Sequence, residues 1–200
     1  DGEDERALEL LVDDARERAD HRDHADLLAR LVAVTPDLER RKERALAEAR
    51  LYAEELDEPK AAIERYEAIV RDLDPRNSAA LLAIADLADT VDEPGVAASA
   101  LERALALQPA HHPRAADGDD ESEDPRVELA QRLARLYEGP LDDVEGAVRA
   151  LDIVHAADPE DYDAVARLLQ LSERQERWDR VATLLATLIE VEGDDDEASQ

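Results

Sequence analysis

The chain has 200 residues, and 53 Asp and Glu against 24 Lys and Arg give it a net charge of −29 at pH 7. A field of that sign repels phosphate, which excludes nucleic-acid binding and docking on an anionic membrane unless a local basic surface reverses it, and no basic stretch here is large enough. The absence of cysteine removes disulfides, thiolate metal sites and cysteine nucleophiles, and no apolar run approaches the ~18–20 residues of a membrane span.

Apolar residues recur at helical spacing, and no stretch alternates with the period of two of a half-buried strand. Prolines at 36, 75, 109 and 159 each close an apolar helical stretch, at intervals of 39, 34 and 50 residues, so the chain is read first as a repeat. The first hairpin, 5–36, carries Leu8, Leu11, Val12 and Ala15, then Leu28 and Leu31. The second, 37–75, opens on Arg40-Arg41-Lys42-Glu43-Arg44, a cationic cluster read as a solvated helix face that pairs with Glu39, Glu43 and Glu48 at helical spacing. The third, 76–109, follows, and then a polar insert, His111 to Asp124, accounts for the long interval. Hairpins four and five span 125–159 and 160–191, and an acidic tail closes the chain. In Asp57-Glu58-Pro59 and Asp92-Glu93-Pro94 an acid is expected to cap the helix that the proline begins, and Asp74-Pro75 and Asp158-Pro159 are expected to do the same between hairpins. Arg50-Leu51-Tyr52 recurs as Arg135-Leu136-Tyr137 at an offset of 85, and Ala98 with Leu101 recurs as Ala182 with Leu185 at 84, so hairpins repeat in pairs.

In this pattern the chain resembles the tetratricopeptide repeat (TPR) family. The third hairpin matches the signature without a gap through Leu81, Ile84-Ala85 and Ala88, then Ala97, Leu101, Ala104 and Pro109. The fourth matches through Ala130, Leu133-Ala134, Tyr137, Ala147, Leu151, Val154 and Pro159 with one extra turn residue. Aliphatics mostly replace the family's aromatics, Glu48 falls where the second hairpin should be apolar, and His24 stands where a small packing residue is preferred. The resemblance implies an all-α fold, a right-handed α-solenoid of about five hairpins: three in 1–110, a disordered insert 111–124, two more in 125–191 and a disordered tail 192–200. Insert and tail hold eleven acids, and taking those eleven away changes the net charge of the chain from −29 to −18.

No catalytic constellation, glycine-rich phosphate loop or cofactor site emerges, and neither a catalytic residue nor a metal ligand is assigned. His111 and His112 beside the acids of the insert lack the helix that would fix them as ligands, and His21 and His24 read as a solvated and a partly buried side chain. The TPR resemblance implies instead a concave groove lined by the first helix of each hairpin. On this chain that lining is Arg6, Glu9, Asp13 and Arg16; Leu82, Asp86 and Asp89; Gln131, Arg135 and Glu138; and Gln170, Glu173 and Arg174. This acid-leaning surface is expected to hold a basic or polar protein segment, with no nucleic acid, membrane or cofactor involved. In the last helix Val181, Leu184, Leu185, Leu188, Ile189 and Val191 cover about half the circumference, more than the ~100° stripe one neighbour buries, which implies a further partner or self-association. The expected role is a noncatalytic interaction scaffold in the cytoplasm. The alternatives are a regulatory or recruiting segment of a larger multidomain enzyme and a fragment of a longer array, the latter suggested by a last helix that runs straight into Glu192-Gly193-Asp194 without a polar capping helix. High Asp and low Lys suit either a GC-rich genome or a high-salt habitat.

Overall fold

A computed structural model describes residues 2–109, 124–159 and 161–198, with side chains placed for 4–187 within those ranges and for Ile189. Every regular element among them is helical. In chain order they are α1 (Gly2–Glu17), α2 (His21–Val34), α3 (Leu38–Glu54), α4 (Pro59–Ala68) with a π-helical continuation over Ile69–Leu73, α5 (Ser78–Thr90), α6 (Pro94–Leu107), α7 (Pro125–Glu138), α8 (Val144–Ala157), α9 (Tyr162–Arg174) and α10 (Trp178–Ala198). They form two units, 1–107 and 108–200. The first stacks the hairpins α1/α2, α3/α4 and α5/α6, the second α7/α8 and α9/α10, and each helix packs mainly on its neighbours along the chain. Apart from Asp124, the expected insert lies outside the described residues. α10 continues to Ala198, past the hairpin end expected at 191; a single glycine, Gly193, costs a helix only about 1 kcal/mol.

Helix starts are set by short acceptors that take an orphan N–H of the first turn. Asp37 accepts from Arg40 N (2.9 Å), Asn77 from Ala80 N (2.9 Å) and Asp161 from Ala164 N (3.0 Å). Asp20, Asp124 and Asp143 do the same for α2, α7 and α8. This corrects two expectations. Asp74 and Asp158 end the preceding helices rather than begin the next, leaving Pro75 and Pro159 in the linkers. Glu58 makes no capping hydrogen bond to α4; its carboxylate faces Arg22 instead.

Every turn inside a hairpin carries one residue with left-handed backbone: Ala19 (φ 54°), Asp57 (52°), Asp92 (56°), Asp142 (46°) and Glu176 (56°). In the first, third and fifth turns the following N–H bonds a carbonyl five residues back: Asp20 to Ala15, Glu93 to Ala88 and Arg177 to Ser172. That closure ends the first helix and reverses the chain. In the second and fourth it reaches six back, Glu58 to Tyr52 and Asp143 to Tyr137, so both turns carry one extra residue. Asp57 and Asp142 are 85 apart and Asp92 and Glu176 84 apart, the same two offsets at which the sequence repeats.

Alanine lets the helices approach closely: Ala15, Ala25, Ala49, Ala62, Ala80, Ala85, Ala130 and Ala147 are fully buried, between larger Leu, Ile and Val. The π-helical turn at the end of α4 lets the consecutive residues Ile69 and Val70 both face the core. Gly146 sits where α8 crosses α7 so closely that a Cβ there would lie 2.8 Å from the Tyr137 ring.

Ion pairs join successive hairpins within each unit. Arg22 pairs with Glu58 and Lys60 with Glu93 (2.7 Å) in the first unit; Arg180 pairs with Asp152 in the second. The cationic run on α3 is not the solvated face expected from sequence. Arg40 and Arg44 reach back to Glu5 and Glu9 on α1, and Arg44, its side chain only 13% exposed, also donates to Thr35 Oγ1. Arg41 donates to the Thr35 carbonyl (2.8 Å), and only Lys42 keeps an expected local partner, Glu39 (2.9 Å).

Candidate interaction surface

The expected lining residues fall on the first helices α1, α5, α7 and α9, and the structure treats them unequally. On α1, Arg6 is exposed and Asp13 pairs with Arg16 at 2.7 Å, but Glu9 is held by Arg40 and Arg44 and serves the junction with α3. On α5, Asp86 and Asp89 are exposed and Leu82 is half-buried. On α7, Arg135 is exposed and Gln131 half-buried, whereas Glu138 is gripped by Arg167 of α9 at 3.1 and 2.5 Å. Arg167 also reaches Asp163 at 3.2 Å. Burial works against the Arg167 charge, but Glu138 and Asp163 outweigh it and raise its pKa. On α9, Gln170, Glu173 and Arg174 are exposed, the last 3.6 Å from Asp142. Glu9 and Glu138 are thus structural bridges, while Asp13, Asp86, Asp89 and Glu173 keep exposed carboxylates. Arg167 was missed in the sequence; its i, i+4 spacing to Asp163 was the available signal.

Among the described residues no group of three or more His, Asp or Glu is placed to hold a metal ion, and no helix is long and apolar enough to cross a membrane. His111 and His112 lie outside the described residues. His21 Nδ1 stands 3.7 Å from Glu55, and His24 is half-buried, its pKa lowered by that burial and then by Arg16 and His21.

Compared with known proteins, the chain matches no protein-family model and no curated protein. Among solved structures, a crystal structure of MamA protein aligns over 98% of this chain and 96% of its own at 18% identity, with a TM-score of 0.51. The fold is a TPR-like helical repeat. MamA from Desulfovibrio magneticus RS-1 aligns over 96% and 97% of the two chains at 15% identity with a TM-score of 0.47. Nearly identical TPR-like repeats of a Podosopora anserina protein described as a kinesin light chain align over 95% of each chain at 18% identity with a TM-score of 0.46. Identities this low speak for the fold only.

The TPR-like register explains Glu48. The 85-residue offset sets Ala45, Glu48, Ala49 and Tyr52 beside Ala130, Leu133, Ala134 and Tyr137, all buried. Glu48 therefore fills a core position that Leu133 and Ile84 fill elsewhere, and it is only 6% exposed. Arg65 on α4 donates to it at 2.7 Å and lies 5.2 Å from the Tyr52 ring centroid, which Arg22 approaches at 5.8 Å. Burial pushes the Glu48 pKa above the usual carboxylate range; the Arg65 charge and hydrogen bond pull it back only in part, and Asp26 adds to the rise. The cluster of Glu48, Arg65, Tyr52 and Arg22 ties α2, α3 and α4 together.

Proposed function

We propose that the chain is a noncatalytic protein-interaction scaffold whose first helices hold a basic or polar segment of a protein partner. The observation that carries this reading is that each unit by itself has exposed carboxylates on its first helices, Asp13, Asp86 and Asp89 on α1 and α5 of one and Glu173 on α9 of the other, within a chain of net charge −29. Such a field draws a cationic segment in and is screened by salt. The test is fluorescence anisotropy of a labelled lysine- and arginine-rich peptide against the full chain. Affinity should fall about tenfold or more between low and high ionic strength, and the triple variant Asp86→Asn, Asp89→Asn, Glu173→Gln should weaken binding. Salt-independent affinity would remove the electrostatic reading.

On α10, Val181 and Leu184 are buried while Leu185 and Ile189, one turn apart, stay exposed. This supports self-association through that face. Sedimentation velocity should then show a concentration-dependent dimer that Leu185→Glu, Ile189→Glu abolishes; a strict monomer would end that reading.

A further inference from the structure

We propose a second docking site in the 108–200 unit, on the side of its second helices: a cleft that receives an arginine side chain from a protein partner. It rests on the reading of a basic partner segment given above, but it uses a different surface and its own residues.

The cleft is open and lies between α8 and the turn into α10. It consists of two adjoining hollows of about 770 and 690 Å³ that share Asp152, Arg177 and Arg180 in their walls. Trp178, the single tryptophan of the chain, lines the larger hollow and is 63% exposed. In the other four hairpins the second helix starts on His21, Pro59, Pro94 or Val144, each half-buried. The residue before that start is Asp20, Glu58, Glu93 or Asp143 elsewhere, but Arg177 here, a cation beside the positive end of a helix. A turn that breaks the local pattern of four others without gaining packing marks a place where something other than folding sets the residues.

The chemistry of the walls selects the guest. In the larger hollow three carboxylates face two guanidiniums, and Asp152 and Arg180 neutralise each other, leaving Glu176 and Asp179 against Arg177. An exposed indole beside two carboxylates that outnumber Arg177 favours one group: a planar cation rich in N–H donors that stacks on aromatic rings. That is the arginine guanidinium, for which a lysine ammonium, without the planar fork, is the weaker substitute.

Because Trp178 is the only tryptophan, its emission reads this site in the intact protein. A short labelled peptide alternating arginine and glycine, added to the full chain, should quench or shift Trp178 emission in parallel with the rise in anisotropy. The same peptide with citrulline in place of arginine should do neither, and the lysine version should bind more weakly. Trp178→Ala should weaken the arginine peptide about tenfold by anisotropy. Glu176→Gln with Asp179→Asn, which keeps the reporter, should weaken it about fivefold or more. Binding by anisotropy with Trp178 emission unmoved, or with undiminished affinity in Trp178→Ala, overturns the second site and leaves the first-helix reading standing. No binding by either readout sinks both.

Discussion

Replacing Glu48 by leucine should make the protein more stable. The carboxylate sits at a position that is otherwise apolar, 6% exposed, and its burial is offset only in part by Arg65. Leucine there would bury apolar surface worth about 1.5–3 kcal/mol and abolish the desolvation cost. The loss is one ion pair whose arginine is 40% exposed, so Arg65 can turn its charge to water while keeping its stem on Tyr52. The net gain expected is about 1–3 kcal/mol, in line with other replacements of buried pairs by apolar groups. Urea unfolding followed by far-UV circular dichroism would measure it. The pH dependence gives an independent check. Glu48 has a folded-state pKa above its unfolded one, so the folded protein holds an extra proton between the two values and the wild type loses stability as pH rises through that window. Leucine has no such proton, so the advantage of Glu48→Leu should be largest above that window and shrink as the pH falls through it. A variant destabilised by more than about 1 kcal/mol at neutral pH would mean that the Glu48, Arg65 and Tyr52 cluster is worth more than its desolvation, and the reasoning fails.

Three further outcomes follow from the packing. Ala19→Gly should raise stability by about 0.5–1 kcal/mol, because relief of left-handed strain on a Cβ exceeds the added entropy of the unfolded chain; thermal unfolding would show it, and the same change at Asp92 should give less, since aspartate tolerates that backbone. Gly146→Ala should cost about 1–3 kcal/mol despite alanine's better helix propensity, because the new methyl meets the Tyr137 ring at 2.8 Å; a stabilised variant by the same measurement would show that α7 and α8 can part freely. Arg44→Met should cost about 2–4 kcal/mol in urea unfolding by leaving Glu5 and Thr35 short of a donor, and a double-mutant cycle with Glu5→Gln should recover part of that loss.

The hairpins were legible because proline spacing, helical periodicity and the 85- and 84-residue offsets all describe one repeating unit. The turn residues were not, since left-handed backbone at Ala19 or Glu176 leaves no glycine to announce it. The acid before Pro59 reads as a cap because sequence shows adjacency, whereas Glu58 is drawn to Arg22, 36 positions away. The same blindness hid the partners of Arg40 and Arg44, and of Glu9 and Glu138 among the residues expected to line the groove. The anomaly at Glu48 was visible as a departure from the pattern, but the arginine that makes it tolerable lies one helix further on. The Trp178 cleft was passed over because an aromatic at the start of a helix carries no signal until its exposure is known.

Cations are the scarce component of this molecule. With acids outnumbering bases by more than two to one, a carboxylate removed by mutation has neighbours able to take over its role, whereas an arginine between hairpins has few stand-ins, Arg40 beside Arg44 being one. Mutational tolerance should therefore be lopsided: a saturation library selected for folded protein would keep neutral replacements at most Asp and Glu positions and lose them at Arg22, Arg167 and Arg180. In an acidic chain of this kind, the architecture is most exposed at its few positive charges.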